Sequence, residues 1–164
     1  MRSFCILIAS FLLLSCSSNQ SNKGQQDEAE LPSDDFDVLT ALMIANKQYE
    51  KDNFEQASKG FDIVIRLDSM VGEAHYKLVY SLGQLGDKST LVSVEHYIKA
   101  AELKYRPTDA YYNAGIYMSI FHSDSVAIEL FKKSLELNPD QSEILDEIKQ
   151  AKERLSSKYG IKQI

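Results

Sequence analysis

Hydrophobic and polar positions divide the chain into three regimes. Phe4 to Leu14 is an apolar run broken only by Ser10 and preceded by one basic residue, Arg2. Residues 17–33 are polar almost throughout and close on Pro32. From Val38 onward, apolar residues return at the three-to-four spacing of amphipathic helices, broken by short turn-forming stretches. The last stretch is the plainest. Ile144, Leu145, Ile148, Ala151 and Leu155 lie on one face, charges fill the other, and Gly160 follows as a stop. The pattern predicts an all-α domain over residues 34–164, behind a 16–33 tether and a 1–15 leader.

The leader is too short to span a bilayer as a helix, which takes about 20 apolar residues. A charged start, a short apolar core and a small residue at a cleavage point describe a secretory signal. The junction reads Leu13-Leu14-Ser15-Cys16. It resembles the lipobox of bacterial lipoproteins. The resemblance implies cleavage before Cys16, a diacylglycerol thioether on its thiol and a further acyl chain on the freed amine. Two or three acyl chains anchor durably where one does not. Ser17, rather than Asp, follows the cysteine, which in enteric bacteria favours the outer membrane. The tether composition is that of a flexible linker, and some 17 residues set the domain roughly 20–25 Å from its anchor on average.

Within the domain the sequence repeats. Thr108 to Gln141 is a 34-residue unit with Tyr111 at position four, Gly115 at eight, Ala127 at twenty, Phe131 at twenty-four and Pro139 at thirty-two. Small residues at eight and twenty let two helices approach, an aromatic ring fills the groove between them, and proline ends the second helix. Val38 to Val71 repeats the scheme with Ala45, Ala57 and Phe61, and Ser69 stands in place of the proline. The middle unit, Gly72 to Pro107, carries Leu78, Tyr97 and Ala100 but runs to 36 residues. Two extra residues are placed at Lys88-Ser89-Thr90, and Ser93 replaces the small alanine. The units resemble tetratricopeptide repeats (TPRs). The expected fold is an α-solenoid of three helix–turn–helix hairpins, about 38–71, 72–107 and 108–141, closed by a capping helix over 142–159 with a polar outer face.

In that family the first helix of each hairpin lines the concave side. By this resemblance Leu42, Met43, Asn46, Glu73, Tyr76, Lys77, Tyr80, Asp109, Tyr112, Asn113 and Ile116 are the candidate partner-binding residues. Leu39, Tyr49, Glu50, Gly83, Gln84, Ser119 and Ile120 complete the lining, and Glu143, Asp146 and Glu147 come from the cap. The centre of this face is apolar and aromatic, and its rim holds six acids against one base, Lys77. A protein segment with apolar anchors and flanking Lys or Arg fits that profile. In so short an array the same residues have the alternative of packing on one another or on the tether. The carboxylate clamp of chaperone-binding TPR domains wants cations where Leu42, Glu73, Asp109 and Glu143 stand, so capture of an acidic C-terminus is not expected.

Charge and composition narrow the function further. The formal charge of the 164-residue chain is −6, and loss of the leader removes one arginine and no acid. That balance lacks the basic face nucleic acid requires. Both cysteines, Cys5 and Cys16, are consumed by processing, which leaves no thiol for catalysis or disulfides. His75, His96 and His122 have no ligand partner at i+3 or i+4. No nucleophile elbow or phosphate loop occurs. No enzyme activity, metal or cofactor is expected. The leading expectation is a lipid-anchored adaptor or assembly factor in the bacterial envelope, more at the outer membrane than the inner. The alternatives are a small-molecule or glycan binder and a self-associating structural subunit.

Overall fold

The computed structural model describes residues 37–86 and 90–160. The expected leader and tether, and Lys88 and Ser89 of the expected insertion, lie outside them. Among the described residues seven α-helices follow one another: α1 (Val38–Tyr49), α2 (Phe54–Leu67), α3 (Gly72–Gln84), α4 (Thr90–Glu102), α5 (Pro107–Ile120), α6 (Asp124–Leu137) and α7 (Ser142–Tyr159). They pair as three hairpins, α1–α2, α3–α4 and α5–α6, with α7 packed on α6. Each helix packs chiefly on its chain neighbours, and α1 also reaches α3. The expected helix count and capping helix are present among the described residues. The α3–α4 interval, residues 85–89, exceeds the other two turns within hairpins, 50–53 and 121–123, as the longer middle unit required.

Local chemistry sets the boundaries. The Asp37 carboxylate caps α1 by accepting the Thr40 amide at 2.7 Å, and that bond holds its pKa below the usual carboxylate value. Pro107 opens α5, where its missing N–H costs nothing. Gly160 ends α7 with φ 63°, the left-handed backbone glycine adopts freely.

The repeat's small positions are its points of closest approach. A Cβ on Gly115 would lie 2.5 Å from the Phe131 ring, and one on Gly60 would lie 2.8 Å from the Ala45 Cβ. Phe61, Phe131, Ala45, Ala57 and Ala127 are wholly buried. The interior forms two clusters. Ala41, Ala45, Ala57, Phe61, Val64, Ala74 and Leu78 make the first. The larger second runs from Tyr76, Val94 and Tyr97 through Phe131 to Ile144 and Ala151.

Buried side-chain nitrogen and oxygen atoms among the described residues all have partners. Ser134 Oγ donates to the Thr108 carbonyl at 2.8 Å, tying α6 to the start of α5. Arg154 on α7 bonds the buried Asp124 at 2.8 Å and the Ser119 hydroxyl, which fixes the cap to the third hairpin. Among the described residues, no helix is long and apolar enough to cross a membrane.

Candidate binding face

The first helix of each hairpin and α7 come together on one face through polar bridges. Asn46 on α1 donates to Glu73 on α3 at 3.2 Å and accepts from Lys77 at 2.8 Å. Lys77 also pairs with Glu73 at 2.6 Å and stands 5.0 Å from the centre of the Tyr49 ring. Between α3 and α5, Asn113 donates to the Tyr76 hydroxyl at 3.1 Å. Between α5 and α7, Ile116, Ser119 and Ile120 share a shallow depression with Glu147 and Arg154. Of the residues that the resemblance placed inward, Asn46, Glu73 and Lys77, and Tyr76 and Asn113, are neighbours across helices.

They differ in what they offer. Met43 is 64% exposed and Tyr80 is 37% exposed. Leu42, Tyr112 and Ile116 are half-buried. Leu42 and Met43 border a second depression, along α1, with Leu39, Asn46, Lys47 and Glu50. Tyr80 closes an aromatic group with Tyr49 and Phe54, at centroid distances of 5.6 and 6.1 Å. Burial pushes the Tyr49 phenol up to about 12, with Tyr80 adding to the effect.

Tyr76 departs from the expectation. It is 4% exposed, its ring lies edge-on to Tyr97 and Tyr105, and the Arg106 guanidinium covers it at 5.0 Å. Tyr76 belongs to the core and joins α3 to α5 instead of presenting an aromatic surface.

The charge profile also changes. Arg106 is a second base on the face and pairs with Asp109 at 2.7 Å. Spacing could not place it, because it precedes α5 in a left-handed backbone conformation, φ 42°. Lys77–Glu73 and Arg106–Asp109 neutralise the stretch from α1 to α5. At the α7 end, Glu143 and Glu147 have no ion-pair partner among the described residues. Burial, then Glu147 and Glu143, raise the Tyr112 phenol above its ordinary value. The face is thus internally neutral at one end and negative at the other. Among the described residues, no three His, Cys, Asp or Glu side chains gather to hold a metal.

No family model matches the chain, and no curated protein matches it. Solved structures do. A MamA structure (AMB-1) superposes with a TM-score of 0.66 at 19% identity, over 77% of this chain and 68% of that one. The first TPR domain of Spaghetti (RPAP3), bound to the HSP90 peptide SRMEEVD, gives 0.61 at 18% identity over 73% and 93%. The Arabidopsis OM64 TPR domain gives 0.60 at 15% identity over 71% and 94%. The fold is that of a TPR solenoid. Identities this low speak to the fold alone. Within it, Lys77 and Arg106 are both engaged by neighbouring acids.

Proposed function

We propose that this chain is a lipid-anchored adaptor of the bacterial envelope. It holds a segment of a partner protein along the face formed by α1, α3, α5 and α7. The observation that carries the reading is the composition of that face. Met43, Tyr80, Tyr112 and Ile116 stay accessible on adjoining helices, beside the unpaired acids of α7. Burying such side chains supplies contact energy, and the acids select what flanks them. The segment carries apolar anchors for Met43 and Ile116 and Lys or Arg for Glu143 and Glu147. The RPAP3 domain with its bound peptide supports a peptide-holding use of the fold by analogy.

Cys16, lipidated after cleavage of residues 1–15, supplies the anchor, and Ser17 favours the outer membrane. The role is binding rather than catalysis, as befits an assembly factor. The test is a crosslinked pull-down from native membranes, comparing the natural chain with a Met43→Glu/Ile116→Glu variant shown to stay folded. A partner lost only in the variant supports the reading. The same partners in both variants place binding elsewhere and refute it.

A further inference from the structure

His75 and His96 form a polar contact in the interior that the binding face does not use. His75, on α3, is 5% exposed. Its Nε2 lies 3.0 Å from the Ser69 carbonyl in the α2–α3 turn. A carbonyl only accepts, so Nε2 carries a proton, and in the neutral ring Nδ1 is left bare. His96 Nδ1, on α4, lies 2.6 Å from that bare nitrogen and must donate to it. The rings overlap, with centroids 4.9 Å apart and planes tilted by 35°. One proton lies between the two Nδ1 atoms. The pair ties the turn that ends the first hairpin to both helices of the second.

The surroundings fix how it takes up acid. Burial opposes a cation at either ring. His75 also opposes one at His96, where Glu95 on α4 and Asp62 on α2 favour it. At His75 the Ser69 carbonyl favours a cation and Lys99 on α4 opposes it. Burial outweighs the acids and holds both rings below the ordinary value of 6.5. A first added proton can enter at His96 Nε2 and leave the bridge intact. A second, on His75 Nδ1, would set two N–H groups against each other across 2.6 Å. The rings must then part.

We propose that the His75–His96 pair is an acid-released fastening between the first and second hairpins. Release loosens the first turns of α3. That stretch holds Glu73, whose bonds to Asn46 and Lys77 join α1 to the binding face. The fastening stands apart from the partner reading; only its effect on binding rests on that reading. Because the folded state favours neutral rings, the pair's contribution to stability is full above pH 6.5. It is lost as pH falls below that value through the lower folded-state pKa values.

The experiment uses residues 16–164 with Cys16→Ser and requires no partner. Imidazole titrations by NMR are expected to show both rings protonating below 6.5 in coupled steps. Amide exchange, corrected for its intrinsic pH dependence, is expected to lose protection over Tyr76–Tyr80 between pH 7.5 and 5 while Phe131–Leu135 keeps it. In His96→Gln the side-chain amide donates to the bare His75 Nδ1 and, turned over, accepts from a protonated one, so acid no longer parts the contact and the loss is expected to disappear. Two rings titrating independently at ordinary values overturn the proposal. So does equal acid opening of both helices. If His96→Gln does not fold, the natural chain alone decides between these outcomes.

Discussion

Replacing Gly115 by alanine sets two opposed effects against each other. Gly115 lies inside α5, and alanine in a helix interior is favoured over glycine by about 0.5–1 kcal/mol. Yet the added Cβ would meet the Phe131 ring at 2.5, 2.6 and 3.2 Å. Phe131 is wholly buried and packed beside Tyr112, so its ring has nowhere to retreat. Overpacking of this kind costs about 1–3 kcal/mol. Taken at their midpoints, the clash exceeds the propensity gain and leaves a net loss of about 1 kcal/mol. For a domain of this size that lowers Tm by roughly 3–6 °C. Gly83→Ala is the control. Among the described residues its Cβ would meet only the end of the Tyr117 side chain, at 3.1 Å, so propensity should win and Tm hold or rise. Thermal unfolding of both variants, followed by circular dichroism at pH 7.5, provides the test. A Gly115→Ala variant as stable as the natural chain would falsify the claim that position eight is a packing constraint.

Three further outcomes are expected. Arg154→Met leaves Asp124, 4% exposed, without its counter-ion and should cost about 1–3 kcal/mol in denaturant unfolding; no loss would refute the tie between α7 and the third hairpin. The raised phenol of Tyr49 means that its contribution to stability is present below pH 10 and is lost as pH climbs towards 12. Ultraviolet titration should show several late-ionising tyrosines, since burial also raises Tyr76, Tyr97, Tyr105 and Tyr112, and the step near 12 should shrink by one tyrosine in Tyr49→Phe. Cys16→Ser should move the chain from the membrane fraction to the soluble one, and retention would mean that the anchor lies elsewhere.

The hairpins were legible because close packing constrains residue size at fixed intervals. Gly115, Ala127 and Phe131 announce a contact that the structure then places within a few ångströms. The face was legible only as a set of positions on each helix. Tyr76 occupies such a position and is nonetheless buried, because Tyr105 and Arg106 fold over it from the α4–α5 turn. Arg106 takes a left-handed conformation that no periodicity records. The histidines were missed for a related reason. They lie 21 residues apart on different helices, and a search at i+3 or i+4 sees only one helix at a time.

The divided interior has a mechanical consequence. A pull transmitted along residues 16–36 enters the domain at Asp37 and reaches α1 first. The hydrophobic cluster it meets is the smaller one, built around Ala45, Phe61 and Leu78. Helix α3 belongs to both clusters, giving Ala74 and Leu78 to one and Tyr76 and Val79 to the other. Under load the first hairpin should therefore peel away as a unit. The second and third, pinned at their far end by Arg154, should stay folded. The molecule has a sacrificial end and a retained end, and the proposed anchor would attach through the sacrificial one.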